Sequence, residues 1–93
     1  MMLALDYDDT YTRDPEFWNA VIDLANARGH SVICATLRSP EEGADVLAAL
    51  GDRVEDIVFT SRKAKHWAVY AAGYMPSVWI DDMPQYIFQD ANG

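Results

Sequence analysis

Met2-Leu3-Ala4-Leu5-Asp6-Tyr7-Asp8-Asp9-Thr10 is a short apolar run that stops abruptly at a group of carboxylates and a hydroxyl. An apolar run of this kind reads as a buried strand that delivers polar groups at its C-terminal end. The next segment is helical by its punctuation: Asp14 can cap, Pro15 suits the first turn, Phe17, Val21, Leu24 and Ala25 form one apolar face, and Gly29 can close the helix. Strand and helix thus alternate from the start.

The alternation continues. Ser31 to Ala35 reads as a second strand stopping at Thr36. Ser39-Pro40-Glu41-Glu42 combines an N-cap, an N1 proline and a capping-box glutamate ahead of Val46, Leu47 and Leu50, with Gly51 as the stop. A third strand is expected over Asp56–Phe59, a helix from about Arg62 to Ala72 closed by Gly73, and a fourth strand over Ser77–Ile80 broken off by Asp81-Asp82. A short terminal helix is expected around Gln85–Gln89. Strands separated by helices define βαβ units, which require a parallel sheet with right-handed crossovers and helices on both faces.

The 93 residues read as one domain, near the lower limit of what folds alone. An apolar fraction of 51% supplies a core, and the composition is far from that of a disordered chain. Fifteen acidic against seven basic side chains give a formal charge of −8, which disfavours nucleic acid as a partner. The single Cys34 excludes an internal disulfide. No stretch approaches the roughly 18 apolar residues of a membrane span, and no secretory leader is recognisable, so a cytoplasmic protein without a membrane partner is expected.

In an open parallel sheet, ligands bind beyond the carboxyl ends of the strands. Asp6, Asp8, Asp9 and Thr10 follow the first strand, Thr36 and Arg38 the second, Thr60 and Ser61 the third, Asp81 and Asp82 the fourth. All are expected around one rim. Five converging carboxylates repel one another, and a hard divalent cation resolves the repulsion. Oxygen-only ligands without a nearby His or Cys favour Mg²⁺ over Zn²⁺. Arg62, Lys63 and Lys65 crowd the expected start of the third helix, where the macrodipole disfavours positive charge. A phosphate at the rim would account for them.

These residues resemble the motifs of the haloacid dehalogenase-like superfamily. Asp6-Tyr7-Asp8-Asp9-Thr10 is similar to its first motif, Thr36 to its second, Lys65 or Lys63 to its third, and Val78-Trp79-Ile80-Asp81-Asp82 to its fourth, in the family's order and across essentially the whole chain. Many relatives carry Gly where this chain has Asp9. The resemblance implies a three-layer α/β/α Rossmann-like domain with a sheet of about four strands in the order 3-2-1-4 and no cap domain, because the intervals between motifs hold only a helix and its strand. It implies a Mg²⁺-dependent phosphomonoester phosphatase. Asp6 would be the nucleophile that forms an aspartyl-phosphate, and Asp8 the acid and base. Thr36 and Lys65, or Lys63, would hold the phosphoryl oxygens; Lys65 is preferred because the residues after it resemble small members of the family. Mg²⁺ would be bound by the Asp6 carboxylate, the Asp8 backbone carbonyl and Asp81, with Asp82 assisting.

The substrate implied is a phosphorylated small molecule or an exposed phosphoester, and a second copy of the chain is a candidate cover for the open site. Two other readings use the same scaffold. A receiver-like phosphoacceptor shares the acidic cluster, Thr, Lys and Mg²⁺, but in a different order along the chain. A non-catalytic or regulatory module would bind phosphate or Mg²⁺ without turnover. His30 and His66 lack metal-ligand spacing. Cys34 reads as a small buried hydrophobe, Trp79 should pack under a helix, and Trp18, Trp67 and Tyr70 read as core or a subunit contact.

Overall fold

The computed structural model describes residues 1–91. Four parallel strands, β1 (Met2–Leu5), β2 (Ser31–Thr36), β3 (Ile57–Phe59) and β4 (Val78–Ile80), form one sheet in the order β3-β2-β1-β4. The helices are α1 (Pro15–Ala27), α2 (Ala44–Leu50) and α3 (Lys65–Ala71). β1 lies centrally, with Leu3 and Leu5 beside Val32 and Cys34 of β2 on one side and beside Val78 and Ile80 of β4 on the other. The expected three-layer α/β domain and its strand order are therefore present.

Strand alternation divides the core in two. Leu3, Leu5, Val32 and Cys34 face one side, where Ile22 and Ala25 of α1 and Val46 and Leu50 of α2 cover them. Ala4, Ile33, Ala35 and Val58 face the other, where Val69 of α3 covers them and Trp79 packs against the cluster. Cys34 is fully buried, as expected, and burial pushes its thiol up to about 12. Both faces of a parallel sheet need such cover, because each strand is apolar on both sides.

The helices differ in detail from the sequence reading. Asp14 does cap α1, accepting from the Phe17 N–H at 3.2 Å. Its buried stripe, however, is Trp18, Ile22 and Ala25, while Phe17 and Leu24 stand in solvent. Ala25 is buried as expected and Val21 partly so; the rest of the stripe is one residue off the expected face, and either choice satisfies the i, i+4 spacing.

The second helix is not continuous from Ser39. A 3₁₀ turn occupies Pro40–Glu42, Gly43 interrupts, and α2 begins at Ala44. Gly43 leaves room for close packing there: a Cβ would lie 2.5 Å from the Phe59 ring and 3.0 Å from the Pro40 carbonyl oxygen. The third helix begins at Lys65, not Arg62, because Ser61 and Arg62 adopt left-handed backbone with φ of 52° and 68°. Of the three cations assigned to that helix start, only Lys65 belongs to it. The terminal helix is a 3₁₀ turn over Pro84–Ile87. Trp67 and Tyr70 are largely exposed on α3, outside the core. Among the described residues, no helix is long and apolar enough to cross a membrane.

Candidate functional site

At the C-terminal edge of the sheet the Asp6 N–H still donates to the Ile80 carbonyl at 2.9 Å, which carries the β1–β4 ladder one residue further. The chain then turns sharply. The Tyr11 N–H donates back to the Asp6 carbonyl at 3.3 Å and the Thr12 N–H to the Tyr7 carbonyl at 3.1 Å. Asp9 takes φ of 62° inside this turn, a left-handed conformation that Gly adopts freely and Asp tolerates better than most residues. Ladder and turn together fix the direction of the Asp6 side chain.

That side chain is buried, and its partners come from distant parts of the sequence. Lys65 Nζ donates to Asp6 Oδ1 at 2.6 Å and to Asp81 Oδ2 at 2.6 Å. Among the described residues Lys65 is the largest fully buried side chain. A buried ammonium is tolerated only when paired in this way. Thr10 Oγ1 lies 2.9 Å from Asp6 Oδ2 and 3.1 Å from Asp82 Oδ1, and accepts from the Asp82 N–H at 3.2 Å. One hydroxyl proton serves one of those two carboxylates at a time. The Met83 N–H fixes the other oxygen of Asp81, at 3.0 Å.

Burial raises the Asp6 carboxyl to about 6; the Lys65 ammonium opposes the rise, and the hydrogen bond with Asp82 and the charge of Asp81 add to it. The site is therefore under-neutralised. Carboxylate oxygens of Asp6, Asp81 and Asp82 lie within 4.8 Å of one another. Three carboxylates against the one ammonium leave a deficit of two positive charges, which a divalent cation matches. An all-oxygen donor set at this spacing suits a hard ion such as Mg²⁺. The residues present fit that ion.

Asp6, Asp8, Asp9, Lys65, Asp81 and Asp82 line one cleft of about 140 Å³, and Leu37, Met83 and Tyr86 complete its wall. Asp8 is half-exposed and held by a fork: Arg38 Nε donates to Oδ2 at 3.0 Å and Nη2 to Oδ1 at 2.8 Å. Arg38 also donates to the Glu42 carbonyl at 2.8 Å and lies over the Tyr7 ring, 5.1 Å from its centroid. Thr36 is wholly buried, and its Oγ1 accepts from the Arg38 N–H at 3.3 Å.

Lys63 points away from this cluster, exposed and 3.8 Å from Asp90. Of the two candidate lysines, only Lys65 reaches the carboxylates. Arg62 pairs with Glu42 at 2.6 Å and donates to the Leu37 carbonyl at 2.9 Å, which ties the loop after β3 to the loop after β2. Thr60 is buried, and among the described residues its hydroxyl has no hydrogen-bond partner; Ser61 is exposed. The sequence reading placed Arg38 at the rim but not its fork with Asp8, and it gave no part to Met83 or Tyr86. Pro84, directly after Asp81-Asp82-Met83, was the available signal that the chain turns back there.

Comparison with models of known protein families, with curated proteins and with solved structures gives no match for this chain.

Proposed function

We propose that the protein is a Mg²⁺-dependent phosphohydrolase of the haloacid dehalogenase-like kind, cleaving phosphomonoesters through an aspartyl-phosphate on Asp6. The observation that carries this reading is the buried triad of Asp6, Lys65 and Asp81, assembled at the C-terminal edge of a parallel sheet from the ends of β1 and β4 and the start of α3. An ammonium locked between two carboxylates adds little to stability that an apolar side chain could not supply, so its presence at this rim is better accounted for by chemistry. The left-handed Asp9 fits as well, since it stands where the resembled family often carries Gly.

In the proposed reaction the Asp6 carboxylate attacks phosphorus, and the bond to the ester oxygen breaks as that oxygen takes a proton from Asp8. Water then attacks the aspartyl-phosphate while Asp8 takes a proton from it, and phosphate leaves with Asp6 regenerated. Mg²⁺, held by Asp6 and Asp81 with Asp82 beside them, would cancel the repulsion between carboxylate and phosphate. Lys65 would balance the equatorial oxygens, and burial keeps Asp6 from being hydrated away from its line of attack. Asp8 must first leave the Arg38 fork to carry a proton.

That fork is also the one observation favouring the second reading, a regulatory module that accepts or binds phosphate without turnover. A screen of the purified protein against phosphomonoesters with and without Mg²⁺ tests both. Turnover that requires Mg²⁺ is expected; phosphate or Mg²⁺ binding without turnover on any substrate would overturn the enzyme.

A further inference from the structure

We propose that the phosphomonoesters this site takes are those with a flat, uncharged leaving group, an aryl phosphate being the simplest, and that Tyr86 and Met83 form the surface on which that group rests. The inference rests on the phosphatase reading of Asp6 and names its substrate class. The cleft lining is of two kinds: charged side chains around Asp6, and Leu37, Met83 and Tyr86. At about 140 Å³ the cleft has room for a phosphoryl group among the carboxylates and for part of a leaving group against Leu37, Met83 and Tyr86.

The apolar lining is built into the site. The Met83 N–H donates at 3.0 Å to Asp81, the same carboxylate that Lys65 holds. The Tyr86 N–H donates to the Met83 carbonyl at 3.0 Å, and Ile87 anchors the turn in the core. Met83 is nonetheless 43% exposed beside the carboxylates. A methionine sulfur and a tyrosine ring are complementary to the edge and face of an aromatic group.

Charge excludes the competing class. Among the described residues the only cation lining the cleft is Lys65, and two carboxylates already engage it. Asp8 and Asp9 stand at the same opening. A second phosphate or a carboxylate on the substrate would meet the repulsion of Asp8 and Asp9 and would have to compete with Asp8 for the Arg38 fork. Bisphosphates, nucleotides and phosphorylated acids are disfavoured on this ground.

Phenylphosphonate and methylphosphonate, compared as dianions, separate the leaving-group surface from chemistry because neither is hydrolysed. Binding to the Mg²⁺-loaded protein is measured by calorimetry. Phenylphosphonate should bind on the order of tenfold more tightly, the worth of one good aromatic contact. Tyr86→Ala should bring the ratio close to one, while Tyr86→Phe should keep it. Equal affinities in the unmodified protein, or a Tyr86→Ala variant that keeps the ratio, would overturn the platform even if turnover of some monoester stands. Failure of both phosphonates to bind, with no turnover, would overturn the platform together with the phosphatase reading beneath it.

Discussion

The Lys65 ammonium donates to the Asp6 carboxylate at 2.6 Å with only 1% of the lysine side chain exposed, and its second bond reaches Asp81. Replacing Lys65 by Met keeps the packing volume but leaves two carboxylates facing each other without a counter-charge. Removing one member of a buried ion pair typically destabilises by about 3–5 kcal/mol. Lys65→Met is expected to lose stability of that order in metal-free buffer and to regain much of it with Mg²⁺. Lys63→Met, at an exposed position, should change stability by less than about 0.5 kcal/mol. Denaturant titrations of both variants, with Mg²⁺ and with chelator, measure this; equal losses would remove Lys65 from its central place.

The second expectation concerns pH. Asp6 is raised to about 6 by burial, above its usual value of 3.8. Between those values the folded state holds a proton that the unfolded state has released, so stability falls as pH rises through this window. Below it the penalty is absent, and it grows as pH rises through about 6 and is complete only well above that value. The metal-free protein should therefore melt lower at pH 7 than at pH 5. Asp6→Asn, which mimics the neutral form, should lack this contribution, so its melting temperature should no longer fall between pH 5 and pH 7 on this account, whatever the loss of the Lys65 pair costs at both values. Mg²⁺ should raise the melting temperature of the unmodified protein by binding the charged cluster of the native state. A melting temperature indifferent to Mg²⁺ would speak against the metal site.

Asp6→Asn separates stability from function. It removes the attacking charge and one metal ligand together, so turnover should vanish although the fold persists. Circular dichroism and a phosphate-release assay on the same preparation decide the matter. Undiminished Mg²⁺-dependent release by this variant would remove Asp6 as nucleophile.

The strand order came from the family resemblance, whereas the parallel strand-helix alternation and the rim of carboxylates were legible from period and punctuation: apolar runs ending in Asp6, Thr36 and Asp81 and separated by helices read as parallel strands delivering polar groups to one edge. The choice between Lys63 and Lys65 was not, because it depends on where the helix begins. Left-handed Ser61 and Arg62 delay that start to Lys65, and neither residue announces such a backbone from its identity. The phase of α1 was hidden for a related reason: Phe17 and Trp18 are both apolar, and only contact with the sheet selects Trp18. The Arg38–Asp8 fork joins two loops and has no local signal at all.

Gly43 offers a packing prediction. Gly43→Ala drives a methyl group against the Phe59 ring at 2.5 Å, and the nearby Pro40 carbonyl prevents escape on that side. A loss of about 1–3 kcal/mol is expected, the usual range for overpacking. Phe59→Leu in the same chain should recover part of it, which a double-mutant cycle would read as a coupling energy. Strictly additive losses would show that the ring yields.

The last prediction separates a phosphatase from a phosphoacceptor that merely holds the label, and it depends on Asp8. As acid and base, Asp8 serves both halves of the reaction, so Asp8→Asn should slow ester cleavage and hydrolysis of the aspartyl-phosphate alike, by about 10²- to 10⁴-fold. The metal cluster should survive, because Asp6, Asp81 and Asp82 converge without the Asp8 side chain. The fold should survive too, since Asp8 is half-exposed and its loss frees Arg38 to solvent rather than stranding a buried charge. With an aryl phosphate, whose leaving group needs little protonation, the first step should suffer less than the second, and phosphoenzyme should accumulate. Burst kinetics and trapping of the acyl phosphate read that difference directly. If the Asp8→Asn variant turns over an unactivated alkyl phosphate as fast as the unmodified protein, the Arg38 fork holds a structural carboxylate and the acid must be sought elsewhere.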